Sequence, residues 1–230
     1  FDLLNDTQEI KYAKTIIATE INKQKPQFPI DQAKHAVEYF LEPLGNAFYI
    51  VSFCGKSSDN SSYHRDNGLL GMWRNYGADG GCAIAFNTKI IYSKVIKNWE
   101  SFDIPPAILM DEVVYQGVNN NKVDYMESLN RFVSHVLELM IDPPSNSELM
   151  INPLPKPHEG DPEKTREILT DLLHLTIFSK HPAFFQEREV RIGLCFIPIY
   201  KKGPLIHSQP FHEISYSPAQ DISRIIIGPH

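Results

Sequence analysis

Phe184-Phe185-Gln186-Glu187-Arg188-Glu189-Val190-Arg191-Ile192-Gly193-Leu194 puts ionic residues on one face of an apolar strand. Side chains of a strand alternate between faces, so Val190, Ile192, Leu194 and Phe196 are expected to point one way. Glu187, Glu189 and Arg191 then point the other way, spaced by about 6.6 Å, twice the rise per residue. Two acids and a guanidinium on one strand face can orient a polyol, a phosphate or a metal. The plainer reading is a solvated edge face with a weak ion pair, which contributes little.

Outward from this strand, the patterning alternates in kind. Asn5-Asp6-Thr7 precedes the periodic run Ile10, Ala13, Ile16, Ile17 and Ile21, which predicts a first helix capped by Asp6 or Thr7. A turn follows at Pro26 to Pro29, and Asp31 is expected to cap a second helix that stops before Pro43. Residues 47–53 are aromatic and β-branched and read as a strand. Residues 55–67 read as a polar loop, and Asp66 or Asn67 as the cap of a short helix over 68–76. Strands are expected at 82–86, 95–99, 108–116, 211–216 and 222–227, and helices at 129–140 and 163–178. Residues 142–162 are rich in proline with Ser, Asn and Gly, and read as an inserted loop. Helices early and paired strands late predict a single α+β domain over residues 1–230, with a mostly antiparallel sheet and flanking helices.

Composition bounds the function. Of 230 residues, 42% are hydrophobic and 11% aromatic, enough for a globular core. A net charge of −6 argues against a surface that coats nucleic acid. Cys54, Cys82 and Cys195 have no metal-site spacing and cannot all pair, which fits a reducing cytoplasm. The apolar runs are short and broken by proline, so no membrane span is expected. The chain opens at Phe1 and runs straight into a motif, which reads as a trimmed product with no signal peptide.

Three constellations stand out. Ser52-Phe53 is followed by Met72-Trp73-x-x-Tyr76 and a glycine-bordered strand; Trp73 and Tyr76 share a helical face and can sandwich a planar heterocycle, or pack a helix onto the sheet. Asn5-Asp6-x-x-Glu9 reads most plainly as a helix start, with Asp6 and Glu9 facing the positive end of the dipole. His64 and Arg65, in the polar loop, read as solvated residues within reach of an anion. The nine histidines form no zinc spacing, and no P-loop, dinucleotide fingerprint or nucleophile elbow is present, so no metal ligands are assigned.

Leu4-Asn5-Asp6-x-x-Glu9, Ser52-Phe53, Met72-Trp73-x-x-Tyr76-x-x-x-Gly80, Ile84-x-Phe86, Glu187-x-Glu189-x-Arg191 and Ile225-Ile226-Ile227-Gly228-Pro229 occur in that order. The series resembles a bacterial family catalogued as domain of unknown function 2971, whose members usually carry a His/Arg-Tyr-Thr-like strand and a helix before the Leu-Asn-Asp element. That portion is absent here. The family's motif layout is similar to that of ADP-ribosyltransferases. The resemblance implies NAD as a substrate, with Glu189 gripping the nicotinamide ribose and Glu187 orienting or deprotonating the acceptor. It implies that Tyr76 stacks on nicotinamide beside Trp73 and Ser52, while Arg191 keeps Glu189 ionised. It further implies a protein or nucleic-acid acceptor and a cytoplasmic setting, in defence (phage defence included) or as a toxin. Two alternatives are a Mg²⁺-dependent nuclease using Asp111 or Glu112 with Glu187 and Glu189, and a non-catalytic binding domain. The nuclease needs a lysine beside its carboxylates, a place that Arg191 fills imperfectly.

Overall fold

A computed structural model describes residues 7–41, 48–54, 66–77, 81–99, 106–118, 122–141, 162–195 and 217–227. The chain is an α+β protein. Helices α1 (Thr7–Gln24) and α2 (Ile30–Leu41) lead into strand β1 (Phe48–Cys54), short helix α3 (Leu70–Tyr76), strand β2 (Cys82–Phe86) and helix α4 (Thr88–Trp99). Strands β3 (Ala107–Glu112) and β4 (Val114–Tyr115) precede the two long helices α5 (Val123–Ile141) and α6 (Pro162–Ile177). Then come β5 (Ser179–Lys180), a 3₁₀ helix (Pro182–Glu187), β6 (Glu189–Cys195), α7 (Pro218–Asp221) and β7 (Ile222–Ile227).

Strand β6 lies between β1 and β3 in an antiparallel sheet. Opposed residues of antiparallel strands share a face, so Ser52, Arg191 and Asp111 form one row across three strands, and Cys54 stands opposite Glu189. Strands β2 and β7 pair antiparallel, and β4 pairs with β5 in parallel.

Two apolar layers enclose the three-stranded sheet. On the face of Gly193 and Cys195, α1, α2, α5 and α6 bring together Ile17, Ile21, Phe40, Phe132, Leu169, Leu172 and Ile177. These residues recur at helical spacing, and each such side chain removed from water stabilises the fold by about 1.5–3 kcal/mol. The opposite face carries Ile192 and Leu194 against Ile91 and Val95 of α4, with Phe53, Phe86 and Met110 around them. A Cβ at Gly193 would stand 2.6 Å from Ile177 Cδ1, so glycine lets α6 lie close on β6.

Several local expectations are corrected. Residues 95–99 are the end of helix α4, not a strand: Ile91 and Val95 stand four apart and pack on one side of a helix. Residues 108–116 form β3 and β4, and β3 borders the described sheet instead of filling its middle. Asp31 sits in the first turn of α2, which opens at Ile30, so it faces the dipole instead of capping. Neither Asp66 nor Asn67 caps α3. The helix opens after Leu69, which makes no side-chain cap bond, and Gly68 turns the chain at φ 76°. The strand expected at 211–216, and residues 142–161 of the Pro-rich insertion, lie outside the described residues. Among the described residues no helix is long and apolar enough to cross a membrane.

Candidate functional site

The charged stretch is buried, which overturns the solvated-edge reading. Glu189 is 8% exposed and Arg191 4%, because β6 is the central strand and helices cover that face. Glu187 is not on the strand either. It ends the 3₁₀ helix, and Arg188 then adopts φ 45°, a left-handed conformation uncommon for a residue with a Cβ. His181 starts the 3₁₀ helix, its Nδ1 accepting from the Ala183 N–H at 3.1 Å. Val190, Ile192 and Leu194 do turn to the opposite face, as the alternation predicts; Phe196 lies outside the described residues.

The acids and bases close into a ring of alternating charge. Arg191 Nε donates to Glu189 Oε2 at 2.6 Å, and Nη1 and Nη2 grip Glu9 Oε2 and Oε1 at 2.9 and 3.0 Å. Lys180 Nζ reaches Glu9 Oε1 at 3.3 Å and donates to Glu189 Oε1, so the ring runs Lys180, Glu9, Arg191, Glu189. Arg191 Nη1 also donates to the Ile177 carbonyl at 2.7 Å. Two cations and two carboxylates leave this ring neutral. Glu187 is the fifth member, attached by Lys180 at 2.7 Å, and it is surplus. The Phe184 ring lies 4.9 Å from the same ammonium.

Burial and that imbalance together separate the two carboxyls. Burial raises Glu187, and its hydrogen bond with Glu189 raises it further; Lys180 opposes both and the result stays above the ordinary value. Burial also raises Glu189, but the hydrogen bond from Glu187, the Arg191 charge and Lys180 outweigh it and hold Glu189 well below the carboxylate range. Burial lowers Lys180, and hydrogen bonds to Glu187 and Glu189 reverse this to a net rise. Tyr115 Oη accepts from the Glu189 backbone N–H at 3.0 Å, and burial pushes its phenol up to about 12. Burial likewise raises the Cys54 thiol to about 11, with Glu189 and Glu187 adding to it, so no thiolate nucleophile stands here at neutral pH.

A second polar cluster shares the sheet face one strand away. Asp111 Oδ1 accepts from Lys122 Nζ at 2.6 Å, its Oδ2 meets His174 Nε2 at 3.1 Å, and His174 Nδ1 meets Ser128 Oγ at 3.1 Å. Burial raises Asp111, but His174 and Lys122 prevail and bring it to about 2. Arg131 completes the chain with a forked pair to Asp171 at 2.6 and 2.9 Å.

The other expected site residues divide. Ser52 lies opposite Arg191 in register, with its side chain exposed. Trp73 is committed to its own loop: Nε1 donates to the Asn67 carbonyl at 2.6 Å, and a Cβ at Gly68 or Gly77 would lie 3.0 or 2.8 Å from the indole. The indole thus packs against Gly68 and Gly77. The Tyr76 side chain, His64 and Arg65 lie outside the described residues. Helix α3 nevertheless leans on the 3₁₀ helix, where a Cβ at Gly71 would stand 3.4 Å from Gln186 Oε1, next to Glu187.

Sequence reasoning missed Lys180; it counted Glu9 in the motif series but read it most plainly as a helix-start residue. For Lys180 the signal was arithmetic: two acids and one arginine in the Glu-x-Glu-x-Arg segment call for a further cation. Among the described residues, no three His, Cys, Asp or Glu side chains are arranged to hold a metal ion. Residues 72–192, which include the Met-Trp helix and the Glu-x-Glu-x-Arg strand, match a family described as protein of unknown function (DUF2971). No curated protein and no solved structure matches the chain.

Proposed function

The chain belongs to the DUF2971 family of proteins of unknown function, and we propose that it cleaves an N-glycosidic bond of NAD and transfers the ADP-ribosyl group. The observation that supports this reading is the opposite displacement of Glu187 and Glu189 around one ammonium. Paired carboxyls with separated pKa values divide the labour of glycosyl chemistry, one staying anionic and the other taking up a proton.

Glu189, fixed as an anion, faces the positive charge that develops on the ribose as the C–N bond to nicotinamide breaks. The bonding electron pair leaves with the nicotinamide nitrogen, which becomes neutral. An acceptor O–H or N–H then adds to the anomeric carbon, and its proton passes to Glu187. A base with a raised pKa suits that task near neutral pH. Lys180, Arg191 and Glu187 occupy three of the acceptor positions of the Glu189 carboxylate, which leaves one for the substrate. Tyr76 supplies the stacking surface for nicotinamide, from a helix that borders the Glu187 segment. The acceptor is a protein or a nucleic acid.

A second reading rests on Lys180, which stands beside Glu187 and Glu189 where a metal-dependent nuclease needs a lysine. The two are separated by incubating the protein with NAD, and with DNA and RNA in Mg²⁺. Nicotinamide release that Glu189→Gln removes supports the transferase. Nucleic-acid cleavage that needs Mg²⁺ and is lost in the same variant overturns it, as does silence in every assay, which leaves a binding domain.

A further inference from the structure

We infer that Glu9 is a positioning residue of the carboxylate site, orienting Arg191 and Lys180 so that the charge ring closes and Glu187 is left as its surplus acid. The inference deepens the transferase reading and takes its relevance from it, but its geometry stands apart from NAD. Helix α1 packs on β5, which brings Glu9 over Lys180 from a position 182 residues before Arg191 in sequence. Two nearly equal bonds, 2.9 and 3.0 Å, seat the guanidinium edge on the Glu9 carboxylate. That fork fixes the plane of Arg191, so its Nε meets Glu189 Oε2. Glu9 Oε1 is shared with Lys180, at 3.3 Å, so one carboxylate steers both cations. Its side chain is 18% exposed, too enclosed for a group that serves only as a solvated first-turn charge.

The consequence is a matter of charge. Without Glu9, Lys180 and Arg191 face two carboxylates instead of three, and Glu187 loses its surplus status. Around Glu187 stand Lys180, Glu189, Cys54 and Tyr115, the last two neutral at pH 7, so no other anion of the described cluster replaces Glu9.

The test is a carbon-13 titration of the Glu side-chain carboxyls in the wild type and in Glu9→Gln. The expected result is a fall of about one unit in the Glu187 midpoint, with the fold retained by circular dichroism. A destabilised variant whose Glu187 midpoint is unchanged makes Glu9 a helix-terminus residue and overturns the inference. If Glu9→Gln does not fold, Glu9→Asp is titrated instead; it keeps the charge and draws the carboxylate back by one methylene. A smaller fall supports the inference and an unchanged midpoint overturns it. Nicotinamide release separates the two claims. A shifted midpoint in a protein that never releases nicotinamide sinks the transferase and leaves Glu9 in its role. Release by a wild type whose Glu187 ignores Glu9 does the reverse.

Discussion

Two polar clusters share one face of the same sheet, and they differ in exposure. Around Asp111, Lys122 lies between two partly exposed carboxylates, 2.6 Å from Asp111 Oδ1 and 3.6 Å from Glu112 Oε2, and His174 meets Asp111, with Ser128 and the Arg131–Asp171 pair beyond. Around Glu189, three carboxylates answer two cations. The first arrangement ties β3, α5 and α6 together at a partly exposed edge. The second leaves one carboxyl, Glu187, that is easier to protonate than it is in water. Paired charge at a partly exposed edge fastens elements; surplus acid in a place of limited exposure creates a proton carrier.

Four substitutions probe this difference. Arg191→Leu is the most severe, because it leaves Glu189 and Glu9 buried without their shared cation; urea unfolding is expected to show a loss of about 3–5 kcal/mol. Gly193→Ala follows, since a Cβ there collides with Ile177 at 2.6 Å. About 1–3 kcal/mol is expected, together with displacement of α6 and of the Ile177 carbonyl that holds Arg191.

Asp111→Asn addresses the more exposed cluster. The folded carboxyl lies at about 2 against an ordinary 3.8, so its stabilisation is present above about pH 4 and is lost as pH falls toward 2. With a partly exposed side chain, screening reduces this to about 1 kcal/mol. The wild type should gain that amount between pH 2 and 4, and the variant should not. Glu187→Gln has the smallest effect on stability and the opposite sign. The folded Glu187 carboxyl is raised, so its contribution is complete below about pH 4 and is lost as pH rises through the folded value. The variant should exceed the wild type by about 0.5 kcal/mol at pH 7 and match it at pH 3.5. Nicotinamide release should disappear despite the added stability.

Much of the fold was legible where one physical rule governed a segment. The apolar periods of α1 and α5 and the strand Cys82–Phe86 follow from spacing alone. Residues 95–99 misled because Val95, Ile96 and Trp99 favour strands locally, whereas packing of Ile91 and Val95 across four residues selected a helix. The alternation of β6 was readable, but its place between β1 and β3 was not, since pairing is decided by residues more than 70 positions away. The site divided in the same way. Glu189 and Arg191 are neighbours in sequence and were visible together. Glu9 joins them only through the packing of α1 on β5, and Lys180 through the turn that carries Pro182 and Arg188.

The central claim is that charge mismatch sets Glu187 apart from Glu189, and residue-resolved carbon-13 titration of the wild type tests it most directly. The account predicts a Glu187 midpoint above the ordinary glutamate value of about 4.3 and a Glu189 midpoint well below it. Two midpoints that coincide near the ordinary value, or Glu187 as the lower of the two, would contradict it.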